Sequence, residues 1–359
     1  MIKRKVLVIF LSLLLCFFVV GLVYTAILGQ NQTFSLRQIY QNKIQNTNQF
    51  SNSQSQETSK KIQSIQSIQT SKTENPLLKL NPKTDKIPKS LPQFKIPVLM
   101  YHHIGSWSNI PSSDKIGLGL RVSPVVFESQ LKYLVENNYT TISNDDLLES
   151  IFLNKKLPTK PIILTFDDGY RNAYTTAFPL LKKYKMIGEF AIITGVVGTN
   201  AEYVNWQELL EMKNEGMKFS SHTALHCPLA SLDTKNSASG KRIFLPTPDG
   251  TKDIQKGCSG FNNPSQLNKS QIEFEILESK KILQEKLGIK INTLIYPYGN
   301  YNNQVIEILK NTNLYFFAYT VEPAKDEVLD ISTNQFSLPR YRISGQDTLP
   351  INGFFAGNR

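Results

Sequence analysis

A regular alternation of short apolar runs with amphipathic stretches begins at Lys95 and limits the fold more than any other feature of the chain. The run from Pro161 to Phe166 is apolar except for one threonine, which is typical of a parallel strand covered by helices on both faces. Apolar residues at helical spacing recur between such runs, as in 271–287. Repeated strand–helix alternation predicts an α/β fold, either a barrel or a doubly wound sheet, and the pattern by itself does not choose between the two.

The predicted elements fill one folded domain, residues 95–359. Strands are predicted at 96–101, 139–142, 161–166, 189–194, 217–221, 293–296 and 314–319. Helices are predicted at 123–138, 144–152, 173–184, 206–214, 271–287 and 303–310. Residues 229–267 break the rhythm, because they are rich in Ser, Asn, Lys, Gly and Pro. We interpret them as an insertion, since so long a connection inside a compact domain is usually functional or mobile.

Residues 1–29 predict export from the cytoplasm. Lys3, Arg4 and Lys5 precede an apolar stretch at 6–28 that is long enough to span a hydrocarbon core of about 30 Å. Basic flanks stay in the cytoplasm, so we expect a single-pass anchor in the cell membrane with the folded domain outside. A cleaved signal peptide is the alternative, and it exports the domain as well.

Residues 30–94 are dominated by Gln, Asn, Ser, Thr and Lys, a composition that predicts a disordered polar linker. Residues 1–94 also carry nine of the eleven net positive charges, which leaves only +2 for the domain that follows. The basic balance of the chain is therefore no indication of a nucleic-acid partner.

Polar residues with metal-binding chemistry cluster at predicted strand ends. Asp167 and Asp168 follow the strand at 161–166, and His222 and His226 follow the strand at 217–221. Carboxyl ends of parallel strands meet at one edge, and two imidazoles four residues apart share a face if they lie on a helical turn. Asp-Asp-Gly also suits a simple turn, and a lone pair of histidines is often structural. The combination favours a metal site with two His and one carboxylate.

Several segments together resemble a known family. They are Thr165–Tyr170, His222–His226 and Tyr296–Gly299, with 97–103, 204–209 and 338–343. The chain resembles polysaccharide deacetylases with a NodB-homology domain (carbohydrate esterase family four), in the branch similar to poly-N-acetylglucosamine deacetylases. This resemblance implies a distorted (β/α) barrel of about seven strands. It also implies metal-dependent hydrolysis of N-acetyl groups from a cell-surface or extracellular N-acetylglucosamine polymer, either poly-N-acetylglucosamine or peptidoglycan.

The resemblance implies a role for each site residue. Asp168, His222 and His226 would bind a divalent metal, commonly zinc, with cobalt or nickel as alternatives. Asp167 would be the general base that activates water.

It further implies that the backbone N–H of Tyr298 stabilises the oxyanion and that His102 is the general acid, with His103 as a substrate contact or a packed side chain. Ile295 stands where the family usually has an Arg that orients the base, and Arg340 is expected to replace it in space. The alternative for Arg340 is an ordinary ion pair at the surface. That missing Arg leaves a second hypothesis open, a catalytically silent glycan-binding module on the same fold.

Cys227 and Cys258 are predicted to form a disulfide outside the cell. The alternatives are two free thiols or, for Cys227, an additional metal ligand.

Overall fold

The computed structural model describes residues 79–89, 94–106, 119–230, 267–321 and 335–345, with the shorter pieces 77, 91, 328–329, 331, 347 and 349. All of them belong to the compact unit formed by residues 60–359. The predicted anchor at 1–29, most of the predicted linker and nearly all of the insertion lie outside the described residues. In the part of the chain that the structure describes, no helix combines the length and apolar character that crossing a bilayer requires.

The described elements alternate along the chain as the sequence pattern predicts. The strands are β1 (Phe94–Lys95), β2 (Val98–Tyr101), β3 (His103–Ile104), β4 (Arg121–Val122), β5 (Thr140–Thr141), β6 (Pro161–Phe166), β7 (Glu189–Ile192), β8 (Lys218–Ser221), β9 (Thr293–Ile295), β10 (Phe317–Tyr319), β11 (Val328–Leu329) and β12 (Tyr341–Arg342). The α-helices are α1 (Pro124–Glu136), α2 (Asn144–Leu153), α3 (Phe178–Lys183), α4 (Trp206–Asn214), α5 (Lys269–Leu287) and α6 (Asn303–Thr312).

One parallel sheet forms the centre of the fold, in the order β10-β9-β8-β7-β6-β2-β12. Strand β5 adds an eighth member by pairing with the first two residues of β6. Neighbours from β2 to β10 follow one another without the reversal that a doubly wound sheet requires, so the sheet is wound in one direction. All six residues of β6 are buried, as expected for a strand with both faces covered.

The two edges of this sheet are joined by the segment that leads into β12. Leu338 forms a parallel bridge with Tyr319 of β10, and three residues further on Tyr341 and Arg342 pair with Leu99 and Met100 of β2. The sheet therefore curls back on itself. This decides between the two architectures that the sequence pattern left open, in favour of a distorted barrel.

Local signals explain where the helices begin. Helices α2, α4 and α5 each start with a capping box, in which a polar side chain before the helix and one in its first turn satisfy each other's backbone N–H groups.

One predicted helix is interrupted. Residues 173–184 form a π-helical turn at Ala173–Ala177 and then α3. Pro179 lies in the first turn of α3 and has no N–H to donate, so the preceding turn widens instead of continuing as an α-helix.

The folded domain begins before Lys95, which corrects the predicted boundary of the linker. Leu77 is 6% exposed and belongs to the core under the sheet. Further partly buried apolar residues pack against that core: Leu80, Ile87, Leu91 and Phe94. These leucines and isoleucines stand among many polar residues, so the composition of the segment as a whole hides them.

Candidate active site

The site lies where four parallel strands of the central sheet end, with β7 between two of them. His102 follows β2, the two aspartates follow β6, His222 follows β8, and the loop containing Tyr298 follows β9. Because these strands run in the same direction, the side chains that follow them meet at one edge of the sheet.

Asp168, His222 and His226 converge on one point. The Nε2 atoms of His222 and His226 are 3.1 Å apart, and they lie 3.1 and 3.3 Å from Oδ1 of Asp168. Ligand atoms about 2.0–2.1 Å from a tetrahedral ion stand about 3.3–3.4 Å from one another. This nearly equilateral triangle fits such an ion, and Oδ1 of Asp168 is buried without a hydrogen-bond partner among the described residues.

The environment of His222 prepares it for metal binding. Its Nδ1 lies 2.8 Å from the carbonyl oxygen of Ile295, and a carbonyl can only accept, so Nδ1 carries the proton. The lone pair of Nε2 is then free to face the shared point, which is the usual arrangement of a metal-binding histidine.

The loop after β8 brings the two histidines together without a helical turn. The predicted helical spacing is wrong, because Thr223 and His226 adopt positive φ angles of 65° and 61° and fold the chain back sharply. Glu275 of α5 holds this loop: its Oε2 accepts from the N–H of Leu225 at 2.9 Å, and its backbone oxygen accepts from the N–H of Ala224 at 3.0 Å. Sequence reasoning missed Glu275, whose only signal is an acidic residue on the apolar side of a predicted helix.

Asp167 is held by a buried arginine. Nη1 and Nη2 of Arg340 donate to Oδ1 and Oδ2 of Asp167 at 2.7 and 2.8 Å, and Arg340 is completely buried. Burial on its own would raise the pKa of Asp167, but the charge and hydrogen bonds of Arg340 outweigh it and hold the pKa below its usual value. The structure thus places the guanidinium of Arg340 where the family's missing Arg was expected to act, and not at the surface.

His102 stands beside this pair. Its Nε2 lies 4.0 Å from Oδ2 of Asp167, and its Nδ1 is buried without a partner among the described residues. Burial lowers the pKa of His102 to about 4, although the neighbouring aspartates act in the opposite direction. The imidazole is therefore neutral at neutral pH.

Tyr298 closes the other side of the site. It is the second residue of the 3₁₀ turn Pro297–Gly299 and has a positive φ of 58°. Residues at the start of a helix have no intrahelical acceptor for their N–H. The ring centroid of Tyr298 lies 4.6 Å from that of His226. Tyr298 helps to line a cleft of about 110 Å³, whose polar lining also includes His102, Asp167, Asp168, His222, His226 and Arg342.

His103, the neighbour of the predicted acid, is a packed side chain. Its ring stacks on Tyr170 with centroids 3.6 Å apart, and its Nδ1 accepts from the side-chain amide of Asn172 at 3.0 Å. Burial lowers the pKa of His103 to about 3.

Cys227, directly after the second histidine, is disulfide-bonded. This excludes both a free thiol and a thiolate metal ligand at that position. Its partner lies outside the described residues, and the pairing with Cys258 stays a prediction.

Comparison with known proteins shows which family the folded domain is similar to. The family profile described as polysaccharide deacetylase matches residues 154–317, a range that contains Asp167, Asp168 and both histidines after β8. The match spans 164 of the 359 residues, so this part of the folded domain is similar to polysaccharide deacetylases. The resemblance drawn from the sequence motifs is thereby confirmed.

Two proteins with deacetylase names are similar to this chain over most of the folded part. The Staphylococcus aureus protein named poly-beta-1,6-N-acetyl-D-glucosamine N-deacetylase is 28% identical over 242 residues, which cover 65% of this chain and 71% of that protein. YxkH of Bacillus subtilis, named for the same family, is 27% identical over 250 residues and covers 70% of this chain and 72% of its own length.

Solved structures support the fold. The Streptococcus pyogenes deacetylase PplD matches with a TM-score of 0.54 at 24% identity, covering 70% of this chain and 94% of that one. IcaB from Ammonifex degensii matches with a TM-score of 0.50 at 24% identity, covering 69% and 91%. The curled parallel sheet is thus the deacetylase fold, whereas the roles of individual site residues remain predictions.

Proposed function

We propose that this chain is a metal-dependent N-deacetylase that hydrolyses acetyl groups from an N-acetylglucosamine polymer. The observation that carries the proposal is the triangle formed by Asp168, His222 and His226 beside the ionised Asp167. The name of the Staphylococcus aureus relative supports the substrate class. Peptidoglycan carries the same acetylated sugar and is the other candidate polymer.

A divalent ion in the triangle would supply Lewis acidity, polarising the acetamide carbonyl and making water easier to deprotonate. Two imidazoles and a carboxylate, with an open fourth position, are a ligand set that suits catalytic zinc. The three ligand atoms are buried, so few waters compete with the substrate for the remaining position.

Asp167 accepts the proton of the attacking water. Its low pKa keeps it ionised at neutral pH, and the bidentate contact with Arg340 fixes the plane of its carboxylate. A base whose orientation is set before the reaction loses no entropy in reaching the transition state.

His102 then protonates the departing amine, and the N–H of Tyr298 donates to the oxygen on which negative charge develops. Because His102 is neutral at neutral pH, it must first take up a proton. Oδ2 of Asp167, 4.0 Å from its Nε2, is the nearby source, and a movement of about 1 Å brings the two atoms into hydrogen-bond range.

We also propose that the enzyme works outside the cytoplasm, held at the membrane by residues 1–29. The basic and apolar pattern of that segment supports this location, and both candidate polymers lie within reach of a tethered domain. Protease shaving of intact cells, followed by detection of a tag fused after the described domain, distinguishes an outside from an inside location.

The experiment for the activity measures acetate release from an N-acetylglucosamine oligomer by the full chain. We expect chelator to abolish release and Zn²⁺, Co²⁺ or Ni²⁺ to restore it. We expect D167N to retain the metal and lose activity, whereas the matched change E189Q, at the opposite end of the sheet, retains both.

A metal-loaded protein that binds the oligomer without releasing acetate would instead establish the silent glycan-binding module. The sequence hint for that module was the missing Arg at Ile295. Arg340 contacts Asp167 directly, which removes that hint.

A further inference from the structure

Arg342 is a positively charged residue of the site to which the proposed reaction gives no role. It lies on β12 and pairs with Met100 of β2, two residues after Arg340. Residues two apart in an extended segment point to the same face. Both arginines therefore point to the same side of the segment, and Arg342 is the one Lys or Arg among the described residues that line the cleft.

The two guanidinium groups have opposite surroundings. Arg340 donates to both oxygens of Asp167, to Thr165 and to the carbonyl of Thr320. Nε of Arg342, in contrast, is buried and has no hydrogen-bond partner among the described residues. Burial lowers the pKa of Arg342, and no described carboxylate lies close enough to offset that burial.

The charges around Arg342 also favour the binding of an anion. The charge of Asp167 is matched by Arg340, and Asp168 neutralises only one of the two charges of a divalent ion. With the ion in place, the cleft carries a net positive charge to which Arg342 adds. A half-buried guanidinium without a counter-ion is stabilised when a complementary anionic group arrives.

We propose that Arg342 binds a carboxylate or phosphate group carried by the glycan near the acetylated sugar, so that the enzyme selects an acidic polymer over a neutral one. This inference rests on the proposed deacetylase function and names the substrate class within it. The planar fork of a guanidinium matches either anion with two parallel hydrogen bonds, which a lysine cannot reproduce.

The test compares two β-1,4-linked tetrasaccharides with the zinc-loaded full chain. One contains only N-acetylglucosamine, and the other alternates it with N-acetylmuramic acid whose lactyl carboxylates are free. We expect R342Q to lower kcat/KM for the acidic tetrasaccharide by about tenfold or more, mainly through KM, because a charge-assisted bidentate pair is lost. The neutral tetrasaccharide should change by less than about twofold, and R342K should lie between. A phosphorylated N-acetylglucosamine tetrasaccharide then shows which of the two anions is preferred.

Two results would overturn the proposal. Equal losses in kcat on both tetrasaccharides would place Arg342 in the chemical step, and weaker inhibition by acetate with unchanged substrate kinetics would assign it to the product. If the wild type releases no acetate from any oligomer, the deacetylase function fails. Titration calorimetry of the acidic tetrasaccharide then still tests whether Arg342 binds the anion. Equal affinity of the wild type and of R342Q would refute the assignment, and a lower affinity of R342Q would support it. Thermal unfolding of both variants checks that they are folded.

Discussion

Carboxylates are buried at both ends of the parallel strands, but they differ in their hydrogen-bond partners and in the direction of their pKa shifts. Where β7 begins, Glu189 accepts from the hydroxyl of Ser220 at 2.5 Å and from the N–H of Asn144 at 3.2 Å, and burial raises its pKa. Where β6 ends, the pKa values of Asp167 and Asp168 lie below their usual range despite burial.

The contrast shows that burial of a carboxylate does not by itself mark an active site. Both oxygens of Glu189 have neutral donors, so its environment is complete without a ligand, even though the side-chain nitrogen of Asn144 is left unpaired. At the other end, the buried atoms without a partner among the described residues include Oδ1 of Asp168, Nδ1 of His102, Nδ1 of His226 and Nε of Arg342, which belong to groups that bind ions or protons. Ion-binding and proton-binding groups with missing partners distinguish the end that holds the candidate site from the other end.

Replacing Arg340 at the carboxyl end of the strands should cause the largest loss of both stability and activity. R340M leaves Asp167 buried and uncompensated, so we expect the free energy of unfolding to fall by about 3–5 kcal/mol and acetate release to fall by about a hundredfold. Urea denaturation and an acetate assay measure the two. The double variant R340M/D167N should regain most of the stability and none of the activity. Equal stability of the wild type and R340M would contradict the buried ion pair.

Removing the support of the metal loop should have a smaller effect. In E275A the N–H of Leu225 loses its acceptor, and we expect metal affinity to fall by about 10–100-fold, as for other groups that orient metal ligands. Competition with a chromophoric chelator measures this affinity. E275Q keeps one acceptor oxygen and should lie nearer the wild type. A wild-type affinity in E275A would show that the loop holds its shape without Glu275.

Acid should weaken the fold through the buried histidines on the functional side. His103 binds a proton near pH 6.5 in an unfolded chain but only near pH 3 in the fold. The unfolded state therefore binds more protons between these values, and the free energy of unfolding falls as the pH falls through that window. We expect His103 to account for about 2 kcal/mol between pH 7 and pH 5.

H103F keeps the stacking on Tyr170 and removes this titration. Denaturation of both proteins in chelator should show a smaller loss on acidification for H103F, and equal losses would mean that His103 stays neutral in both states.

E189Q should have the smallest effect, although it removes a buried carboxyl group. The hydroxyl of Ser220 can rotate to accept from the new amide, so every hydrogen bond can be retained. We expect a change in unfolding free energy of less than about 1 kcal/mol and acetate release within about twofold of the wild type. A loss of activity comparable to that of D167N would remove the distinction between the two ends.

Much of this arrangement could be predicted from the sequence. The strand at 161–166 and the helix at 206–214 match the structure residue for residue, because continuous apolar runs and capping residues are local signals. The loop from His222 to His226 could not be predicted, since its fold depends on positive φ angles at Thr223 and His226 and on a glutamate some 50 residues away.

Several short strands could not be predicted either, because their local sequence carries too little signal. Strands β1, β3, β4, β11 and β12 have two residues each, too few to show a period. Arg342 belongs to one of these strands, and the local sequence does not distinguish it from Arg340. The two arginines differ only in their surroundings, because Asp167 lies beside Arg340 and no described acid lies beside Arg342.

Arg340 lies 173 residues after Asp167 in the chain. The ribosome therefore releases the carboxylate long before its cation, and the segment that brings the cation is the one that joins the two edges of the sheet. We therefore expect barrel closure and the alignment of Asp167 to occur together, late in synthesis of the chain. If the proposed deacetylase mechanism holds, we expect a nascent or truncated chain to stay inactive until β12 has docked.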